Sequence, residues 1–220
     1  MIIFAAGMRR SGSTAIFNIV KELIEMADIG FALSVGQSKK SIISTYFSTR
    51  YPVVVKAHRF NDEYYNNKDK AIALMSVRDI REICCSIVRL GMCQPCDEKC
   101  LKLLDTYIEE QQSWSVINVQ YFNKYENWVD DLTGEVKNIA SFLDIPVEDE
   151  IAEQIATSWS MESCKMKSKY IAGTHHFNFL NPNHITSGRK DSWKEELTPE
   201  QADLLTNRYK WWLNEYDYPC

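Results

Sequence analysis

Apolar positions along the chain fall into two alternating patterns. Continuous apolar runs at Ile2-Ile3-Phe4-Ala5-Ala6, Val53-Val54-Val55 and Ala71 to Val77 predict strands buried on both faces. Val116 to Tyr121 predicts a fourth strand, and Phe31 to Val35 a short one. Between them, Ile16, Ile19, Val20, Leu23 and Ile24 recur at helical spacing. So do Ile80, Ile83, Cys84, Ile87 and Val88, and again Val136, Ile139, Ala140 and Leu143, each set covering one helix face. Strands alternating with helices predict a three-layer α/β/α fold with a mainly parallel central sheet. Such sheets bind ligands beyond the carboxyl ends of their strands. Thr198-Pro199-Glu200-Gln201 has the form of a capping box with Pro at the first helical position, so a docked helix is expected from there, with Leu205, Tyr209, Trp212 and Leu213 inward. The polar stretch from Lys165 to Lys190 lacks a period and reads as loop.

Composition narrows the class. A length of 220 residues fits one domain spanning 1–220, and 45% hydrophobic with 25% charged residues is ordinary for a soluble globular chain. The first residues enter a strand directly and no apolar stretch is long enough to span a bilayer, so a cytoplasmic protein without a membrane partner is expected. The net charge of −5 argues against nucleic acid as a partner. The cations nevertheless gather around the motifs below, as Arg9, Arg10, Lys56, Arg59, Arg78, Arg81, Arg189, Lys190 and Lys194, which suits a small anion in a local positive pocket. Seven cysteines, an odd count, fit reduced thiols better than a disulfide framework. Cys93, Cys96 and Cys100 could hold zinc with His175 or His176 as the fourth ligand, but no second CxxC pair accompanies them, and reduced thiols are the preferred reading.

The candidate chemistry begins at Gly7 to Thr14, GMRRSGST, set between the first strand and the first helix. There, backbone N–H groups and a helix N-terminus form an anion cradle. Gly7, Gly12 and Thr14 keep Walker A spacing, but Ser13 stands where the lysine would reach a triphosphate, which argues against ATP or GTP. Arg9 and Arg10 come directly before Ser11-Gly12-Ser13-Thr14, and this resembles the 5′-phosphosulfate loop of the sulfotransferases that use 3′-phosphoadenosine 5′-phosphosulfate (PAPS). The resemblance extends along the chain. RDIREICCS resembles the 3′-phosphate motif, with Arg78, Asp79, Glu82 and Ser86 matching and Ile80 in place of Pro; VVVKAHRF resembles the segment carrying the catalytic His. Lys124-Tyr125-Glu126, Gly134 to Pro146, Ser160 to Lys165 and Ser187 to Thr198 resemble further family segments.

The resemblance implies a P-loop-like phosphosulfate-binding fold and an enzyme that moves the sulfuryl group of PAPS to a hydroxyl or amine of a small-molecule acceptor, releasing PAP, with no metal. It implies His58 as base, with Lys56 and Arg10 stabilising the leaving 5′-phosphate, and the loop from Arg9 through Ser11, Gly12, Ser13 and Thr14 as its cradle. Arg78 and Ser86 would read the 3′-phosphate, joined by Arg189 or Lys190; Tyr125 and Trp193 would line the nucleotide site. Trp159 would stack on adenine in place of the aromatic that Met161 replaces; the Trp that follows the loop in the family is Ala15 here. The bland alternatives are a Gly/Ser turn that binds nothing, Arg78 serving only as an ion-pair partner of Asp79 or Glu82, and a structural His58. Glu22 and His184 compete as bases. A P-loop kinase and an inactive PAP-binding protein are the other functional readings.

Overall fold

The computed structural model describes residues 1–33, 51–61, 68–170, 180 and 185–220. The strands are β1 (Ile2–Gly7), β2 (Phe31–Leu33), β3 (Val53–Lys56), β4 (Ala71–Val77) and β5 (Val119–Lys124). They form one sheet in the order β2-β3-β1-β4-β5, with every pair parallel. The helices are α1 (Ser13–Met26), α2 (Ile80–Arg89), α3 (Glu98–Gln112), α4 (Tyr125–Trp128), α5 (Leu132–Phe142), α6 (Asp149–Trp159), α7 (Met161–Tyr170), α8 (Trp193–Glu196), α9 (Pro199–Arg208) and α10 (Lys210–Glu215). Among the described residues no helix is long and apolar enough to cross a membrane.

The three layers follow from the pleat, which sends successive side chains to opposite faces. Ile3 and Ala5 of β1 join Val54 and Leu74 against α1, α5 and α6. Ile2, Phe4 and Ala6 join Val53, Val55 and Trp114 on the other face. Both faces are covered, which is why these strands are continuous apolar runs rather than alternating ones. A third cluster packs α2 and α3 against α9 and α10 through Ile83, Leu104, Leu205 and Trp212. β1 lies at the centre and its chain neighbours leave to both sides, so the loops after β1, β3 and β4 open into one crevice.

Several boundaries differ from the sequence expectation, each for a local reason. β5 begins at Val119, not Val116, because 113–116 is a 3₁₀ turn that buries Trp114 against Phe4 at 4.9 Å between ring centroids. α5 starts at Leu132, where the Asp131 carboxylate accepts from Gly134 N at 2.8 Å and caps it. α7 carries helix to Tyr170, through the start of the stretch read as loop. β3 ends at Lys56, so His58 lies beyond the strand in a bend rather than on its pleat. The C-terminal helix is two helices, broken at Tyr209 (φ −109°, ψ 22°). Its capping box is present, with Thr198 Oγ1 accepting from Gln201 N and Gln201 Oε1 from Thr198 N. Thr198→Ala is expected to cost about 1 kcal/mol of stability, read as a shift of the denaturant midpoint with unchanged slope.

Candidate functional site

The loop after β1 is shaped by two glycines. At Gly7 (φ 143°) a Cβ would lie 2.8 Å from Ser76 Cβ and N, so only glycine lets β1 close on β4 there. At Gly12 (φ 84°) a Cβ would lie 2.6 Å from Trp128 Cζ2, so the indole edge of α4 seats directly on the loop. Arg10, between them, also takes a left-handed φ of 70°. Ser11 is fully buried, its hydroxyl donating to Met8 O at 2.5 Å and Ser76 O at 3.0 Å. It therefore locks the loop from below, and Ser11 is not among the residues that line the crevice. Gly12, Ser13 and Thr14 face the crevice at the positive end of α1, whose first turn holds no acidic residue.

Lys56 arrives from β3, 5% exposed, and donates through Nζ to Thr14 Oγ1. Burial, reinforced by Arg10 and Arg9, lowers its pKa to about 7. Two residues on, His58 Nδ1 lies 3.0 Å from Gly7 O. A carbonyl only accepts, so Nδ1 carries the hydrogen and Nε2 is left as the basic nitrogen. The backbone of His58 is pinned as well, its carbonyl accepting from Trp114 Nε1 at 3.0 Å. Burial lowers the imidazole pKa to about 4 despite the Gly7 hydrogen bond, with Lys56 and Arg9 adding to the shift. His58 is thus neutral through the physiological range.

On the other side of the loop, α2 begins at Asp79, whose side chain accepts from Arg81 N at 2.9 Å and supplies the helix start that Ile80 in place of Pro left open. Arg78, 4% exposed, stacks over the Tyr125 ring at 4.1 Å. Its Nη1 donates to Arg10 O (3.3 Å) and its Nη2 to Glu82 (3.2 Å) and Arg189 O (2.8 Å), while its Nε has no partner. The Arg78–Glu82 ion pair is the alternative weighed from the sequence, and it coexists with a place in the crevice wall. Ser86 Oγ accepts from Arg10 Nε at 3.0 Å. The positive charge of Arg10 also helps to lower the pKa of Lys56. Arg9 turns the other way, into a bidentate pair with Glu110 at 2.7 and 2.9 Å.

These groups line one cavity of about 540 Å³, within the range of small-molecule and cofactor sites. Its polar lining includes Arg9, Arg10, Lys56, His58, Arg78 and Ser86, and its aromatic and apolar lining Tyr125, Trp128, Trp159 and Met161. Three expected residues are elsewhere. Arg189 is exposed and ion-paired with Glu195 at 2.8 Å; Lys190 pairs with Asp130 and donates to Glu126 O. The shortened segment before Trp193 presents the Arg189 carbonyl to Arg78, not its side chain. Trp193 stacks on Arg81 at 4.0 Å and donates its backbone N–H to Glu82 Oε1, holding the C-terminal segment to α2. Trp159 lines the cavity but is 4% exposed, with Nε1 donating to Glu22 at 2.7 Å, which occupies that competing base. His184 lies outside the described residues.

Sequence reasoning missed Trp128 and Tyr107, both of which line the cavity. The signal for Trp128 was its place three residues after Tyr125, on the same helix face just past a strand's carboxyl end; the rings meet edge to face at 4.9 Å. Tyr107 comes from α3, a helix outside the apolar sets read from the sequence.

A family model described as the sulfotransferase domain matches residues 98–217, just over half of the chain. No curated protein matches. Among solved structures, the crystal structure of mouse sulfotransferase SULT7A1 complexed with PAP has a TM-score of 0.68 at 18% identity, covering 98% of this chain and 87% of its own. That of retinol dehydratase in complex with androsterone and inactive cofactor PAP has 0.67 at 15%, covering 96% and 80%. At such identities the likeness is one of fold, and it spans the N-terminal loop that the family model leaves out. The family match over just over half of the chain shows that the chain belongs to the sulfotransferase domain family.

Proposed function

We propose that the chain transfers the sulfuryl group of PAPS to a hydroxyl or amine of a small acceptor and releases PAP. The observation that carries this reading is that one cavity beside Gly12 to Thr14 is lined by two separately held cationic groups, Lys56 donating to Thr14 and Arg10 donating to Ser86 with Arg78 beside them. A nucleotide with a 5′-phosphosulfate and a 3′-phosphate offers one anion to each group; ATP carries no 3′-phosphate. The aromatic side, with Tyr125, Trp128 and Trp159, suits the base.

In this reading the acceptor oxygen or nitrogen attacks sulfur in line with the bond to the 5′-phosphate. Its proton passes to His58 Nε2 as the new bond forms, while the bridging S–O bond breaks and its electron pair stays on the phosphate oxygen. Lys56, Arg10 and the N-terminal amides of α1 stabilise that growing charge. The leaving anion also raises the pKa of Lys56, so the ammonium is held where it is needed. The similar fold of two proteins solved with PAP supports the choice of donor.

The test is calorimetry with PAP and ADP. PAP is expected to bind more tightly, and Arg78→Ala to remove most of the difference by deleting a charge-assisted hydrogen bond worth about 1.5–3 kcal/mol, or roughly 10- to 150-fold in affinity. Equal affinities in the wild-type chain would overturn the assignment of the 3′-phosphate end.

A further inference from the structure

Arg9 lines the cavity but takes no part in the reaction described above. It follows two residues after Gly7, whose carbonyl lies 3.0 Å from His58 Nδ1, so the loop itself holds Arg9 near the base. A second route ties the two together. Glu110 of α3 accepts from Arg9 Nε and Nη2 at 2.7 and 2.9 Å. Ser113 Oγ donates to Glu110 O at 2.6 Å and accepts from Phe60 N at 2.8 Å, and Trp114 Nε1 donates to His58 O. The pair with Glu110 does not exhaust the guanidinium. It leaves both hydrogens of Nη1 and the second of Nη2 without a partner among the described residues. The Arg9 side chain is 44% exposed and that of Glu110 11%, so a mostly buried acid fixes the orientation of a guanidinium whose outer edge stays open. Tyr107, one turn before Glu110, has its ring centroid 5.8 Å from the guanidinium carbon, and its hydroxyl has no partner among the described residues. Leu90 and Met92, at the end of α2, add apolar surface to the lining, and Met92 packs in the same cluster as Tyr107.

We propose that Arg9 is the anchor of the acceptor, and that the acceptor is an organic anion: a hydroxyl compound with an apolar body that carries a carboxylate. The inference rests on the sulfuryl-transfer reading above, because the acceptor hydroxyl has to reach His58 Nε2 and therefore lies beside Arg9. The open edge of the guanidinium presents parallel N–H groups from Nη1 and Nη2, a fork that a carboxylate meets with both oxygens. A neutral phenol gives that edge no charged partner. The carboxylate is held and does not react; the hydroxyl oxygen takes the sulfuryl group and gives its proton to His58. Glu110 has two effects in this arrangement. It aims the fork, and its charge weakens the hold of the fork on a second anion. A pair that only braced the loop against α3 would affect every acceptor alike.

The test compares phenol with 3-hydroxybenzoate, 4-hydroxybenzoate and 4-hydroxyphenylacetate, which set the carboxylate at graded distances from the hydroxyl. Binding to the chain saturated with PAP is measured by calorimetry, and turnover with PAPS as kcat/KM. At least one carboxylate is expected to exceed phenol by about tenfold in both, the scale of a charge-assisted hydrogen bond at a half-exposed site. Arg9→Gln should bring that ratio to about one or below. Glu110→Gln, which keeps an oxygen for Arg9 and removes the charge, should raise it about threefold. PAP leaves the place of the sulfuryl group open to any anion, so a preference that survives Arg9→Gln belongs elsewhere and overturns the proposal. So does equal handling of phenol and all three carboxylates by the wild-type chain, or a loss in Arg9→Gln that falls on phenol and carboxylates alike. Carboxylate binding that depends on Arg9, in a chain that transfers no label from PAPS, would contradict the sulfuryl reading and leave the anion site standing. Label transfer without the preference would do the reverse.

Discussion

Replacing His58 by alanine is expected to lower turnover of a hydroxyl acceptor by about 10²–10⁴, the contribution of a positioned base, while leaving PAP affinity nearly unchanged. The expectation rests on the Gly7 carbonyl, which fixes the hydrogen on Nδ1 and leaves Nε2 to accept a proton. The pH profile carries a sharper form of the same statement. His58 must be unprotonated to act, and burial has lowered its pKa to about 4, so activity should persist well below the usual imidazole range and fall only as pH approaches that value. An acid limb near the ordinary imidazole value that survives in His58→Ala would move the base to another residue.

The second large effect is expected at Lys56. Lys56→Met should lower turnover by about 10²–10³, the scale seen when one donor to a developing anion is removed. Its linkage to protons is separately measurable. In the free protein the ammonium has a pKa of about 7, because burial and the arginines of the loop disfavour its charge. The charged form is therefore present below that pH and lost above it, and kcat/KM for the nucleotide should decline on the alkaline side near 7. Binding a nucleotide anion raises the pKa, so at pH 8 binding should take up protons, seen as a calorimetric enthalpy that varies with the ionisation enthalpy of the buffer. Lys56→Met should abolish that uptake; an unchanged buffer dependence would show that Lys56 does not face the bound phosphate.

What could be read from the sequence, and what could not, divides along physical lines. β1, β3 and β4 were legible because strands covered on both faces must be apolar throughout. β5 sits at the sheet edge with Phe122 half exposed, so its apolar signal slid three residues upstream onto Trp114 and Ile117, which fill the core from a turn. The tight turn from Gly7 to Thr14 was legible because it needs positive-φ backbone, which glycine marks in sequence. The surroundings of Arg189, Lys190 and Trp193 were not. Whether a cation faces a cavity or an acid such as Glu195 or Asp130 is settled by tertiary packing, and a short motif carries no record of it.

The central claim, that this cavity transfers a sulfuryl group from PAPS, is met most directly by incubating the chain with PAPS labelled in its sulfate and a panel of small phenols, alcohols and amines. The account predicts label on at least one acceptor, PAP formed one for one with it, and loss of both in Lys56→Met and, for a hydroxyl acceptor, in His58→Ala. Failure to bind PAPS, accompanied by magnesium-dependent consumption of ATP in the same cavity, would contradict it.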